Sequence, residues 1–214
     1  MRNQPSNQQS YLENLFFFED STLEGIKKSL IADGKWGINI GFHELSLLRF
    51  LIQTHGIKNI LEIGTLYGFS TYGMARFLPE DGKITTIELS SEIHKKAVSL
   101  SEGRPFSSKI EYVCADAQEY LANSTESYDL IFIDANKSAY LKYLDLSEKL
   151  IKPGGLIIGD NTFLFGHVYG EGRNKMPDKT IEALKEFNQR YVESADYLVT
   201  MIPTSEGMTI IKKQ

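Results

Sequence analysis

Two short runs in this chain carry the residue types that can hold a hard cation: Asp134-Ala-Asn-Lys137 and Asp160-Asn161. Asp134, Asp160 and Asn161 offer three oxygen donors, two of them charged. Such a set suits an octahedral ion completed by waters and substrate. With no His or Cys in the set, magnesium or manganese fits better than zinc, and calcium can also take oxygen-only ligands. Taken alone, Asp160-Asn161 also reads as a turn or helix cap, for which both residue types are standard. Lys137 has a plain reading too, a solvated lysine at a helix start, although the helix dipole makes that a poor place for a cation.

Four acids stand where apolar runs end: Glu62 in Glu62-Ile-Gly-Thr65, then Glu88, Asp116 in Asp116-Ala117, and Asp134. One strand-end acid is ordinarily a solvated loop residue; four in succession call for another account. Gly64 and Gly68 allow a sharp turn and close approach of a ligand to the backbone. Their spacing is neither the G-x-G-x-x-G of dinucleotide folds nor a G-x-x-x-x-G-K phosphate cradle. An acid at 62 would repel a pyrophosphate but suits a cofactor with an amino group and a positive charge, which favours a sulfonium amino acid over NAD. Glu88 follows about 20 residues later, where an acid hydrogen-bonds ribose hydroxyls.

The elements that must position these residues alternate. Strands are expected at 59–63, 83–89, 109–114, 128–134 and 156–159, with helices at 68–78, 90–101, 116–121 and 138–150. That order implies right-handed βαβ crossovers and a mostly parallel sheet with helices on both faces. After a helix at 178–194, strands at 197–202 and 208–212 flank Pro203-Thr-Ser-Glu-Gly207, a connection short enough only for an antiparallel hairpin. The expectation is a seven-stranded α/β fold. Ligands bind such sheets beyond the carboxyl ends of the strands. Ahead of the sheet, one helix is expected at 11–31 containing the run Phe16-Phe17-Phe18, either core or a partner-seeking patch, then a loop at 32–41 and a helix at 43–55.

Leu61-Glu-Ile-Gly-Thr-Leu-Tyr-Gly-Phe-Ser-Thr71 resembles the first motif of class I methyltransferases, in particular the catechol and caffeoyl-CoA O-methyltransferase family. The resemblance runs from about Ile38 to the C-terminus. It implies a Rossmann-like fold, S-adenosylmethionine as cofactor and a homodimer. It further implies that Glu62, Gly64, Thr65 and Ser70 hold the methionine part, Glu88 the ribose and Ala117 the adenine, with Asp134 also at the cofactor. Ile38-Asn-Ile-Gly41, with Ile40, is similar to the segment that covers the cofactor. Asp134, Asp160 and Asn161 match the family's metal ligands and Lys137 its general base, so Asp134 and Lys137 are the catalytic pair.

The implied chemistry is methyl transfer to a hydroxyl oxygen. A phenol with a pKa near ~10 is a poor nucleophile at neutral pH; a cation stabilises its anion while Lys137 accepts or orients the proton. The expected acceptor is a small phenol or catechol, the alternative a hydroxylated uridine in tRNA or a protein side chain. A nicotinamide oxidoreductase is disfavoured by the missing G-x-G-x-x-G, and a silent binding protein by the trio with Lys137. The stretch 161–175, with Trp36, Tyr169 and the N-terminal aromatics, lines the acceptor pocket or packs as core. Of His43, His55, His94 and His167, none with metal-ligand spacing, only His167 lies in that stretch.

The totals agree. The chain has 214 residues, 42% hydrophobic and 24% charged, which suits one methyltransferase domain over 11–214, its helices at 11–56 covering the cofactor and acceptor sites. A formal charge of −5 argues against nucleic acid as partner. Cys114 is the only cysteine and reads as a packed core thiol. No apolar run approaches the roughly 18–20 residues that span a bilayer. Met1–Ser10 is polar with no signal core, so a disordered tail and a cytoplasmic location are expected.

Overall fold

The computed structural model describes residues 6–204 and 206–214. Its strands are Asn59–Ile63 (β1), Lys83–Glu88 (β2), Ile110–Cys114 (β3), Tyr128–Ile133 (β4), Ile151–Asp160 (β5), Tyr197–Ile202 (β6) and Met208–Lys213 (β7). They form one sheet in the order β3-β2-β1-β4-β5-β7-β6, the mostly parallel arrangement with an antiparallel C-terminal hairpin that the element order predicts. The helices are Asn7–Phe16 (α1), Ser21–Ala32 (α2), Phe42–Thr54 (α3), Phe69–Phe77 (α4), Ser91–Ser101 (α5), Ala117–Asn123 (α6), Tyr140–Leu150 (α7) and Asp178–Gln189 (α8). Among the described residues no helix is long and apolar enough to cross a membrane. The chain divides into two compact units, one of Met1–Lys58 with Thr65–Cys114, the other of Asn59–Gly64 with Ala115–Gln214.

In the first unit β2 and β3 pair in parallel, from Ile84↔Ile110 to Glu88↔Cys114. The helical spacing of Leu23, Ile26 and Leu30 on α2 puts all three fully inside; Leu45 and Leu48 of α3 and Tyr72 of α4 are likewise fully buried. The single helix expected at 11–31 is two. Asp20 ends the continuity by accepting the Thr22 and Leu23 N–H groups at 2.9 and 3.1 Å, and its other oxygen pairs with Arg76. The aromatic run therefore falls at a break. Phe17 and Phe18 meet the Phe42 ring edge-on at 5.1 and 5.5 Å, while Phe16 and Phe17 stay 42% and 45% exposed. The tail expectation fails at residues 7–10, which are helical and capped by Ser6; residues 1–5, like Ser205 in the hairpin turn, lie outside the described residues. Cys114 is exposed, not packed, because it closes the edge strand β3.

In the second unit β1, β4 and β5 run parallel, with Ile63↔Ile133 and Ile133↔Gly159 in register. Leu130 to Ile133 are completely buried, as a strand covered on both faces requires. β5 starts earlier than expected: Ile151 pairs with Tyr128 and Leu156 with Leu130, so Lys152-Pro-Gly-Gly155 bulges within the strand. α8 stops at Gln189, short of the expected 194, and Tyr191 stacks on Tyr197 at 4.2 Å where β6 begins.

Candidate active site

The parallel register of β4 and β5 sets Asp134 and Asp160 at equivalent positions on neighbouring strands, one residue beyond Ile133↔Gly159. Asp160 is 1% exposed. Asn161 follows in the left-handed region, φ 54°, a conformation Asn tolerates better than most residues. A buried polar network holds the chain there. The Thr162 N–H donates to Gly207 O at 3.1 Å, Asn188 Nδ2 donates to Thr162 O at 3.0 Å, and Thr209 Oγ1 lies 2.6 Å from Asn188 Oδ1 and 2.9 Å from Thr162 Oγ1.

Lys137 binds the two strand ends together. Its ammonium donates to Asp134 Oδ1 at 2.9 Å, to the Tyr140 hydroxyl at 2.6 Å and to Asp160 O at 3.2 Å. Each of its three N–H bonds thus has an acceptor. Tyr140, the first residue of α7, is fully buried, its hydroxyl 2.9 Å from Ile133 O and 2.8 Å from Asp160 O. Burial first, and then the Asp134 and Asp160 carboxylates, push this phenol well above its ordinary pKa, so it remains a neutral donor. Tyr140 is the component that residue spacing did not reveal; its only signal is its place three residues after Lys137, one helical turn on.

Glu62 and Gly64 belong to this unit as well. Glu62 is completely buried. Gly64 has φ 100°, and a Cβ there would stand 2.1 Å from Asp134 O, so the β1 end can approach Asp134 only as glycine. Asp116 is accounted for structurally: its carboxylate caps α6, accepting from Gln118 N at 2.8 Å and Glu119 N at 3.1 Å, which leaves Ala117 at the helix start. His167 has its Nε2 buried with no hydrogen-bond partner among the described residues.

The first unit holds the remaining expected residues. Glu88 accepts from Leu66 N at 3.1 Å and from Ser90 N at 3.0 Å, which ties the loop after Thr65 to the end of β2. Thr65 Oγ1 pairs with Thr86 Oγ1 at 2.7 Å, and Ser70 is buried in α4. Ile40 is 1% exposed, just ahead of the α3 N-terminus; there Glu13 accepts from Phe42 N at 2.9 Å and from His43 N at 3.3 Å, and its carboxylate also pairs with the His43 ring.

Residues 16–214 match the model of a family described as O-methyltransferase. The chain is 30% identical over 205 residues to a putative caffeoyl-CoA O-methyltransferase of Arabidopsis thaliana, covering 91% of this chain and 87% of that one. It is 31% identical over 182 residues to a catechol O-methyltransferase of Niastella koreensis, covering 83% and 81%. In three dimensions it resembles an O-methyltransferase from Bacillus cereus in complex with SAH, with a TM-score of 0.85, 29% identity and 96% of each chain covered.

Proposed function

The chain belongs to the O-methyltransferase family, and from that premise we infer that it moves the methyl group of S-adenosylmethionine to a hydroxyl of a small phenolic or catechol-type acceptor in a divalent-metal-dependent reaction. The observation that carries the reading is the Lys137 ammonium held between Asp134 Oδ1 and Asp160 O at the ends of two adjacent strands.

The donor chemistry fits a hard cation. The proposed set is two carboxylates and an amide, oxygen donors throughout. Asp134, Asp160 and Asn161 would hold magnesium, manganese or calcium. When bound, the ion supplies positive charge that lowers the cost of forming a phenolate. Lys137 serves at the acceptor hydroxyl, where its neutral amine takes up the proton that leaves oxygen or its ammonium orients the hydroxyl, and Asp134 and Tyr140 fix its direction. On this reading Glu62, Gly64, Ala117 and Asp134 are the cofactor-binding residues of one unit, and Ile40, Thr65, Ser70 and Glu88 those of the other. What remains is alignment of oxygen, methyl carbon and sulfur, and orientation of that kind can contribute several kcal/mol, roughly 7–11 at best. The SAH bound to the Bacillus cereus relative supports this cofactor. Tyr11, Leu15, Phe16 and Phe17, all more than two-fifths exposed on or just after α1, support a homodimer.

The test is transfer of labelled methyl from S-adenosylmethionine to catechol by the wild-type chain and by D160A, with calorimetric cofactor binding measured alongside. The reading expects D160A to bind the cofactor and not transfer; wild-type turnover in D160A would contradict it.

A further inference from the structure

Between α2 and α3 the chain runs through residues 33–41 as a strap that carries Ile40. Two groups fix where it begins. Asp33 N donates to Ser29 O at 3.1 Å at the end of α2, and its carboxylate accepts the Tyr67 hydroxyl proton at 2.6 Å. Gly34, φ 66°, then turns the chain away. Tyr67 is 6% exposed and belongs to the loop between Thr65 and Gly68. Its neighbour Leu66 is left-handed, φ 50°, and gives its N–H to Glu88 at 3.1 Å; Gly68 N closes the loop on Thr65 O at 2.9 Å.

One short loop therefore grips the Glu88 carboxylate with its backbone and the strap with its tyrosine. A second contact steadies the far part of the strap, the Trp36 ring edge-on to Phe69 at 5.2 Å. At the near end Lys35 stands 5.7 Å from the Tyr67 ring. Asp33, Lys35, Tyr67, Ser90 and Lys96 wall an open cleft of about 470 Å³, so water can replace the Tyr67–Asp33 bond if it opens. The hydrogen bond to Asp33, with burial next, lifts the Tyr67 pKa to about 12, so the donor proton is present throughout the working range.

We propose that Tyr67 and Asp33 are positioning residues for the cofactor: their hydrogen bond couples the backbone that holds Glu88 to the strap that carries Ile40. The inference rests on the S-adenosylmethionine reading above. Neither side chain is assigned to the cofactor itself. Their bond fixes the arrangement of two segments before the cofactor arrives, so that less ordering remains to be done on binding.

The experiment is calorimetric S-adenosylmethionine binding and methyl transfer at saturating cofactor on the wild type, Y67F, D33A, D33N and Y67F/D33A, with a thermal midpoint for each. D33N keeps an oxygen acceptor for the Tyr67 hydroxyl, and D33A does not. Y67F and D33A should each weaken cofactor binding by about fivefold to tenfold, the worth of one partly buried hydrogen bond. D33N should stay within about twofold of wild type, the double variant should be no weaker than either single, and kcat at saturation should hardly move. Wild-type affinity in Y67F, additive losses in the double variant, or D33N as weak as D33A despite a wild-type thermal midpoint would overturn the proposal. A wild-type chain that binds no S-adenosylmethionine would instead overturn the cofactor reading beneath it.

Discussion

The Tyr140 hydroxyl lies 2.6 Å from the Lys137 ammonium, and the same oxygen reaches the last carbonyl of β5, Asp160 O, at 2.8 Å. Lys137 is thereby anchored to the framework on one side and to the Asp134 carboxylate on the other. Y140F removes the oxygen and keeps the ring. The expected outcome is a loss of about 1–3 kcal/mol in urea-unfolding stability, since buried partners lose their hydrogen bond. Turnover should fall on the order of tenfold or more as Lys137 is misplaced. Unchanged kcat in Y140F would remove Tyr140 from the site.

Gly64 is fixed by the Asp134 carbonyl oxygen, 2.1 Å from where a Cβ would be, and by its φ of 100°. G64A must displace β1 or the chain after β4. It should cost at least about 1–3 kcal/mol of stability from backbone strain alone. Turnover should fall further than stability explains, because Asp134 moves with the strand end. Initial rates at a temperature where both proteins are folded separate the two effects.

The Glu13 carboxylate gives a pH dependence whose sign can be worked out. Burial raises its pKa, but the hydrogen bonds from the His43 side chain and from the Phe42 and His43 backbone outweigh this, and the net shift is downward from 4.5. A group depressed on folding stabilises above its unfolded pKa, and that stabilisation is lost as pH falls through its folded value. Urea midpoints should therefore drop between neutral pH and acid below about 4.5, beyond what other carboxylates cause, and E13Q should be less stable at pH 7 with a flatter acid limb. An E13Q chain with the wild-type pH profile would show that the α1 contact contributes nothing.

Much of the fold can be read from periodicity. Short apolar runs such as 128–133 and 59–63 leave little choice but buried parallel strands, and the short connection between the last two runs forces the hairpin. The proposed trio stands out in the sequence because Asp134 and Asp160 close neighbouring apolar runs, whereas the strand-end acids Asp116 and Glu88 turn out to hold backbone N–H groups, which spacing alone does not show. Other features depend on contacts made far along the chain. A tyrosine in the first turn of a helix, as Tyr140 is, looks like any core aromatic until the carbonyls of β4 and β5 are placed around it. Asp33 and Tyr67 are 34 apart in sequence, and neither type announces the other. The break at Phe17–Asp20 hides because apolar spacing continues across it while Asp20 captures the amide groups of the next helix. Cys114 has apolar neighbours in sequence, yet it ends a strand at the sheet margin.

Thr209 is expected to act, from within the sheet, on the loop that begins at Asn161, to which the proposed function assigns the acceptor. Its hydroxyl lies 2.6 Å from Asn188 Oδ1 and 2.9 Å from Thr162 Oγ1, and these hold the chain immediately after Asn161. T209V keeps the shape and deletes the hydroxyl, leaving two buried groups short of a partner at a cost of about 1–3 kcal/mol. The acceptor KM should rise while cofactor affinity stays unchanged; equal effects on both would point to global loosening instead.

The most direct measurement is the initial rate of methyl transfer from radiolabelled S-adenosylmethionine to catechol in excess EDTA, followed by titration with magnesium beyond the chelator. The account predicts that transfer is abolished by the chelator and restored by magnesium. Undiminished turnover in EDTA would contradict it.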